Sequence, residues 1–231
     1  MTLLTIASNA ARRLGLPTPT SVISSTDPNS ITLLAMAQEE GKVLARRHVW
    51  QVLQSEHTFS TANGTSSYSL PSDFDRILKD TVFNRTRRRR MVGDLTPDQW
   101  QQTQASLVTM VNPAFRIRGG AFLISPTPSA TETVAYEYMS TKWCQTSGGT
   151  AQTEWAADTD TGKISEDLMT LGVIWRYQSA KGLEYGEAME TYELEVARAI
   201  QNDGARVRID TSCSERDRVP RAPQVPETLV F

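Results

Sequence analysis

The spacing of apolar residues changes twice along the 231-residue chain, and this change limits the folds that the chain can adopt. Near both ends, apolar residues recur every three or four positions, which is typical of amphipathic helices. In the middle they alternate in short runs separated by turn residues, which is typical of strands. The sequence therefore predicts an α+β fold, in which an amphipathic helical bundle from the N- and C-terminal parts carries a β-rich middle insertion.

Four segments follow from this pattern. They are 1–55 and 146–203 (the two parts of the helical bundle), 56–145 (the β-rich insertion, with a short helix near 96–106) and 204–231 (an extended C-terminal arm). The arm contains three prolines and mixed charge, and it shows no period until its apolar residues Leu229, Val230 and Phe231. We interpret it either as disordered or as an arm that docks on a neighbouring subunit through those three residues.

Local capping signals predict where helices begin and end. The first helix has an apolar face from Leu3 to Leu14, and Gly15 ends it. Asp27 followed by Pro28 favours the start of a second helix, which we expect to run to about Leu53. In the middle of the chain, a capping box predicts a short helix that begins with Thr96, Pro97 and Gln99.

The last helical region is predicted over residues 165–202, with Ser165 as its N-cap. Three glycines, Gly172, Gly182 and Gly186, each cost about 1 kcal/mol relative to alanine inside a helix. Either the helix breaks near residue 182 or the glycines allow another helix to approach closely. We expect two collinear or kinked segments.

Turn residues divide the middle of the chain into strands. The pair Asn63-Gly64 predicts a hairpin within residues 57–70, and Gly119-Gly120 joins two short strands. Residues 76–84 indicate a further strand, with residues 87–95 as its return arm. In residues 131–140, Thr133, Ala135 and Glu137 alternate with Val134, Tyr136 and Tyr138, which predicts a strand.

Composition excludes several classes of function. Lysine and arginine number 24 against 26 aspartates and glutamates, so general adhesion to nucleic acid or to an anionic membrane is not expected. The N-terminal apolar stretch precedes Arg12 and Arg13, the wrong order for a signal peptide, and no stretch approaches the length of a membrane span. Cys144 and Cys213 lie far apart, which favours free thiols in a reducing compartment.

Catalytic and metal-binding motifs are not found. His48 and His57 lack the spacing of metal ligands. Asp158 and Asp160 resemble the start of a calcium loop, but Met169 stands where that loop needs a glutamate. We therefore expect no catalytic residue, no metal and no cofactor, and we predict that the chain is not an enzyme.

Extended stretches of the chain resemble one known family, the head-to-tail adaptors (tail tubular protein A-like connectors) of short-tailed bacteriophages. The resemblance covers most of residues 1 to about 200 and is carried by "YSLPSDFDRILKDTVFNRTRRR", "LTPDQWQ", "FRIRGGAFLISPTP", "VAYEYMSTKW" and "DTDTGKISEDLMTLGVIWRYQSAKGLEYGEAMETYE".

The resemblance implies a structural protein of the virion neck, assembled in the host cytoplasm. Its subunits would form a ring, typically of twelve, beneath the portal and around the DNA channel, with a downstream tail or nozzle protein as a further partner. The C-terminal segment would act as a clasp that extends onto the portal. The family has no catalytic motif, so no active site is carried over.

The stretch "NRTRRRR", residues 84–90, is the densest positive spot in the sequence. Its arginines are Arg85, Arg87, Arg88, Arg89 and Arg90. In a ring, a loop with five arginines becomes a positive collar that could contact channel DNA or pair with acidic residues on the portal or the next tail component. We favour protein docking, because tight phosphate binding would retard DNA movement through a conduit.

Two other classes of function stay open. A DNA-binding packaging accessory or regulator would also explain the arginines, and it predicts salt-sensitive binding to duplex DNA. A lytic enzyme of the phage tail would need a cleft with paired carboxylates. Glu137 and Asp158 are acids on which that second hypothesis can be tested, although no motif nominates them.

Overall fold

A computed structural model of the chain describes residues 2–106 and 112–204 and contains both helices and sheets, which confirms the predicted α+β class. In chain order, the α-helices of the described residues are α1 (Leu3–Arg13), α2 (Pro28–Arg47), α3 (Pro97–Ala105), α4 (Glu166–Ala180) and α5 (Gly186–Asn202). The strands of the same residues are β1 (Gln54–Ser60), β2 (Ser67–Ser69), β3 (Phe74–Ile77), β4 (Phe83–Asn84), β5 (Arg89–Arg90), β6 (Ala114–Arg118), β7 (Ala121–Ser125), β8 (Thr133–Ser140), β9 (Cys144–Gln145), β10 (Ala151–Gln152) and β11 (Thr161–Gly162).

Helices α2 and α3 begin at the predicted capping residues. The Asp27 side chain accepts a 3.0 Å hydrogen bond from the Ser30 amide, and Pro28 occupies the first turn of α2. Thr96 and Gln99 form the reciprocal capping box predicted for α3. These starts are confirmed because a cap depends only on residues within a few positions of one another.

The end of α2 differs from the prediction, because the helix stops at Arg47 well before Leu53. The indole Nε1 of Trp50 donates a 2.7 Å hydrogen bond to the Leu44 carbonyl, the acceptor that the His48 amide would use in a continued helix. His48 is instead extended, and the chain passes through a 3₁₀ turn at residues 51–53 into β1. The Trp50 side chain, which lies six positions beyond its acceptor Leu44, thus helps to end this helix.

The last helical region breaks near residue 182 as predicted, but its two segments are not collinear. Gly182 has a φ of +68°, a conformation that favours glycine, and α5 then folds back along α4. The rings of Trp175 in α4 and Tyr192 in α5 lie 6.0 Å apart. Ser165 occupies the predicted N-cap position, but its side chain accepts no capping hydrogen bond from the amides of the described first turn. The expected collinear or kinked arrangement is therefore wrong, and α4 and α5 form a helical hairpin.

Helices α1, α2, α4 and α5 share one apolar core, which we call the helical core. Trp143 and Trp155, from outside the helices, complete it and contact each other edge to face at 5.1 Å. Two glycines allow close packing at its centre. A Cβ added at Gly41 would overlap the ring of Trp143, and one added at Gly172 would overlap the carboxylate carbon of Glu40.

A charged side chain lies inside this core. Glu40 is fully buried and accepts hydrogen bonds of 2.6 Å from the Tyr192 hydroxyl and from Nε of Arg176. Arg176 also pairs with Glu39 at 2.5 Å. Burial, and then the neighbouring Glu40, raise the pKa of Tyr192, so its hydroxyl stays a donor. This network links α2, α4 and α5.

The largest sheet is built around β8. Strand β1 pairs with one edge of β8, and β3 and β4 pair with the other, with β5 outside β4. A second sheet has the order β2-β7-β6, and a third has the order β10-β9-β11. The first two sheets enclose the sheet core, whose buried members are Val82, Met91, Phe115, Phe122, Ile124, Val134, Tyr136 and Tyr138.

The predicted hairpin at Asn63-Gly64 is wrong, although a turn is present there. Strand β1 pairs with β8, whereas β2 pairs with β7, so the turn passes from one sheet to another. The Gly64 amide donates to the Pro128 carbonyl at 3.0 Å, which fixes the turn to a distant loop. Local turn chemistry could not reveal that both flanking strands have longer partners elsewhere.

Other strand predictions are confirmed or corrected in part. Gly119 and Gly120 both have positive φ and join β6 to β7, as expected for a two-residue hairpin. The predicted strand over 76–84 is interrupted by a turn and gives β3 and β4. Its return arm is confirmed, because β5 pairs with β4. The segment boundaries at 55, 145 and 203 stay predictions.

Candidate docking surface at the arginine hairpin

The arginine run forms the tip and return strand of a short hairpin, residues 83–90, which we call the arginine hairpin. Phe83 pairs with Arg90 and Asn84 with Arg89, and residues 85–88 make the turn. All five arginines are exposed. Arg88 has a φ of +53°, a left-handed conformation that a tight turn imposes here on a non-glycine residue.

Three of the five arginines are paired within the chain. A guanidinium nitrogen of Arg85 donates to Glu56 at 2.6 Å, and Nε of Arg87 donates to Glu132 at 2.6 Å. Arg90 forms an ion pair with Asp80. Because Glu56 and Glu132 lie 29 and 45 positions from their arginines, no local pattern in the sequence indicates these two pairs. The hairpin therefore carries less free charge than its composition suggests.

The remaining two arginines, Arg88 and Arg89, have no ion pair with any side chain of residues 2–106 and 112–204. Their charges are open to solvent and to a partner. Two exposed apolar side chains lie in the hairpin or next to it, since Phe83 on β4 and Val92 just after β5 are each more than two-fifths exposed. The hairpin thus offers positive charge next to exposed apolar surface, a combination typical of protein contacts.

Glu132 anchors the hairpin, and sequence reasoning missed it. Its side chain is only 9% exposed. It accepts hydrogen bonds from Nδ2 of Asn84 and from Nε of Arg87, and its own amide donates to Oγ1 of Thr61 at 2.8 Å. No local pattern marks this residue, because Arg87 lies 45 positions away in the chain.

A cleft of about 250 Å³ opens beside Glu132. Its polar lining includes Asn84, Arg87 and Thr61, and its apolar lining includes Met91 and Ile124. Since Arg87 and Glu132 neutralise each other, the cleft offers hydrogen bonds and apolar surface rather than net charge. It holds no pairing of a nucleophile with a base among its lining residues.

Asp158 and Asp160, the acids that resemble the start of a calcium loop, hold loops together. Asp160 accepts from the amides of Ala156 and Ala157, both at 2.8 Å. Asp158 accepts from the Ser21 hydroxyl and the Val22 and Ile23 amides. Burial alone would raise the pKa of Asp158, but these hydrogen bonds hold it below its usual range, so it is poorly suited to donate a proton.

Other potentially reactive groups are separate from one another. His48 lies 3.3 Å from Asp203 near the end of α5, whereas the ring of His57 packs on Phe59 and Tyr136. Burial raises the pKa of the Cys144 thiol to about 12. Within the described ranges, no group of three or more His, Cys, Asp or Glu side chains is placed to hold a metal ion.

Two further observations bear on the predicted partners. No helix in residues 2–106 or 112–204 is both long and apolar enough to cross a membrane. The predicted anchor residues Leu229, Val230 and Phe231, and also Cys213, lie outside the described residues.

Comparison with models of protein families gives a match. The model of the SU10 adaptor protein family matches residues 1–222 of the chain. A search of curated proteins finds no match. The family match supports a structural adaptor of the phage virion that contacts other head and tail proteins, which agrees with the coarser part of the resemblance drawn from the sequence.

Proposed function

Because the chain belongs to the SU10 adaptor protein family, we propose that it is a head-to-tail adaptor that forms a ring beneath the portal and joins the portal to the tail. The ring lines the DNA channel, and a helical bundle forms the body of each subunit. The family match over residues 1–222 carries this proposal, together with the α+β fold that the resemblance to tail tubular protein A-like connectors implied. By the same resemblance, the ring has twelve copies.

The arginine hairpin is the docking element of this adaptor. Arg85, Arg87 and Arg90 hold the hairpin in shape through their acidic partners, and Arg88 and Arg89 present charge to another protein. The exposed Phe83 and Val92 add apolar surface that a protein partner can bury and that a phosphate backbone cannot use. These features favour protein docking over DNA contact.

The C-terminal arm, residues 204–231, is the second contact of the adaptor with its partners. Its residues Leu229, Val230 and Phe231 act as an apolar anchor on the portal or on a neighbouring subunit. We expect that deleting residues 220–231 weakens attachment to the portal and leaves thermal unfolding of the chain unchanged. Equal attachment of the truncated and full chains would contradict the anchor.

The experiment that tests the adaptor is native mass spectrometry of the full chain, alone and mixed with the portal ring of its own phage. We expect a defined number of copies on each portal ring. The opposite result is no association with the portal at any ratio of the two proteins.

A DNA-binding packaging accessory is the second candidate, because Arg88 and Arg89 are unneutralised within the described residues. If these two arginines make the phosphate contacts, the logarithm of the association constant for duplex DNA should fall with the logarithm of the salt concentration at a slope of only about −2. Tight binding to duplex DNA with a much steeper slope, and no association with the portal, would favour the accessory over the adaptor.

A further inference from the structure

The turn between α4 and α5 carries a cluster of acidic residues, and together with the first residues of α5 we call residues 183–190 the acidic tip. It contains Glu184, Glu187 and Glu190. Glu184 accepts a hydrogen bond from the Gly186 amide, and neither Glu187 nor Glu190 forms an ion pair with a side chain of the described ranges. The nearby Lys181 lies over the Tyr177 ring, at 5.5 Å from its centroid.

Exposed apolar side chains stand among these acids. Leu183, Tyr185 and Met189 are between 40% and 53% exposed. The Met189 amide donates to the Tyr185 carbonyl, so these two residues share one face of the first turn of α5. The acidic tip therefore combines apolar surface with free negative charge.

The arginine hairpin has the complementary composition. Arg88 and Arg89 supply free positive charge, and Phe83 and Val92 supply exposed apolar surface. Interfaces commonly place apolar groups at the centre and charges of opposite sign around them, and such charges speed and orient association. The two surfaces match each other in both respects.

The two surfaces belong to different parts of the fold. The Tyr177 hydroxyl bonds to Asn29, which places the end of α4 beside the start of α2, and α2 is about 30 Å long. The end of α2 leads into β1 and the large sheet. Within that sheet, β4 pairs with the Val134–Ala135 end of β8, whereas the other end of β8 leads to Trp143 in the helical core. The acidic tip is thus carried by the helices and the arginine hairpin by the large sheet, so each copy offers the two surfaces at separate places.

We propose that the acidic tip of one copy docks on the arginine hairpin of the next copy. The inference rests on the proposed adaptor ring and names the contact that closes it. Because two different surfaces meet, the contact is heterologous, and repeated contacts of this type close into a ring when the rotation between copies permits. The near-neutral charge of the whole chain is consistent with opposite charges that cancel between copies.

Charge reversal tests the contact directly in the full chain. One variant carries Arg88→Glu and Arg89→Glu, and the other carries Glu187→Arg and Glu190→Arg. Each variant alone places like charges on both surfaces, so we expect the concentration for half-maximal ring assembly on the portal to rise about tenfold or more, as measured by native mass spectrometry. A 1:1 mixture of the two variants restores opposite charges at every contact of an alternating ring, so assembly should return.

Matched controls separate this contact from general effects of charge. Arg13→Glu with Arg118→Glu changes the net charge equally at exposed cations outside both surfaces, and assembly should stay at the wild-type level. Arg88→Gln with Arg89→Gln removes attraction without adding repulsion and should give a smaller loss. If both reversed variants assemble as the wild type does, the contact is wrong.

A second contrary result has a different meaning. If each reversed variant fails to assemble and their mixture also fails, the two surfaces bind something other than each other, such as the portal, and the proposed contact between copies is overturned. If the wild-type chain itself does not assemble on the portal, the proposed function fails first. The wild-type measurement therefore distinguishes failure of the adaptor from failure of the contact.

Discussion

In the helical core a charged side chain, Glu40, is fully buried, whereas in the sheet core the most enclosed side chain is Phe122, stacked between two aromatic rings. The Phe122 ring lies 5.0 Å from Phe115 and 5.3 Å from Tyr136, nearly parallel to both. Glu40 instead binds Tyr192 and Arg176 at hydrogen-bond distance.

The difference reflects how each core is closed. Strands are joined by backbone hydrogen bonds, so side chains in the sheet core are not needed to link its strands and mainly fill space. Helices have no backbone bonds to one another, and here α2, α4 and α5 are joined by one buried polar network that requires a glycine opposite it. The helical core should therefore tolerate small changes at its polar centre poorly, and the sheet core should tolerate loss of a hydroxyl better.

The largest effect is expected for Gly172→Ala. The added Cβ would overlap the carboxylate of Glu40, which cannot move away because it is fully buried and bonded on both sides. We expect a loss of about 3 kcal/mol in the free energy of unfolding, measured by urea titration, since overpacking and disruption of the buried pair outweigh alanine's better helix propensity.

Gly186→Ala is the matched control for this change. The nearest atom to its added Cβ is the carboxylate oxygen of Glu184, at the end of a flexible exposed side chain, so little change is expected. Equal losses for the two variants would show that Gly172 matters for its backbone and not for the space it leaves to Glu40.

The same substitution in both cores sharpens the comparison. Tyr192→Phe removes a hydrogen-bond donor to the fully buried carboxylate of Glu40 and should lower the free energy of unfolding by about 2 kcal/mol. Tyr138→Phe removes a 3.0 Å hydrogen bond to the partly exposed Asp73 and should lower the free energy of unfolding by about 1 kcal/mol. Urea titration of both variants measures the difference. A larger loss for Tyr138→Phe would reverse the proposed contrast between the cores.

Sequence reasoning succeeded where the physical cause is local. The starts of α2 and α3 depend on Asp27 and Thr96, whose hydrogen-bond partners lie three residues away. It failed at the end of α2 and at Asn63-Gly64, because the Trp50 side chain and the pairing of β1 with β8 decide these regions. Such contacts leave no local pattern.

The candidate site shows the same limit. The arginines were visible in the sequence, but their partners were not, since Glu56 is 29 positions from Arg85 and Glu132 is 45 positions from Arg87. The sequence therefore predicted five equivalent charges. The structure distinguishes three that stabilise the hairpin from two, Arg88 and Arg89, that have no ion pair in the described ranges.

Acid should affect the edge of the sheet core through Asp73. Burial raises the pKa of Asp73, but hydrogen bonds from Ser140 and Tyr138 outweigh it and leave the pKa below its usual value. A lowered pKa stabilises the folded state above the unfolded value of about 3.9, and this stabilisation is lost as the pH falls through the folded pKa.

Asp73→Asn tests this dependence. At pH 7 the variant should be less stable than the wild type by about 1.5 kcal/mol, because its amide accepts weaker hydrogen bonds than the carboxylate does. The difference should shrink as the pH falls from about 4, where the carboxyl of the unfolded chain takes up a proton, through the lower pKa of the folded state. Urea titrations at several pH values measure it. A difference that stays constant down to acid pH would mean that the charge of Asp73 contributes nothing.

The smallest effect is expected for Arg85→Ala, whose ion pair with Glu56 lies on the outer face of the sheet. Both side chains are about half exposed, so water and salt screen the pair, and its loss should change the free energy of unfolding by less than about 0.5 kcal/mol.

Arg87→Ala is the matched reference, because Glu132 is nearly buried and loses a bonded partner. Its free energy of unfolding should fall by about 1 kcal/mol. The two variants remove the same side chain from the same hairpin and differ in the burial of the acid. If their losses in urea titration are equal, burial of the acidic partner does not set the strength of these pairs.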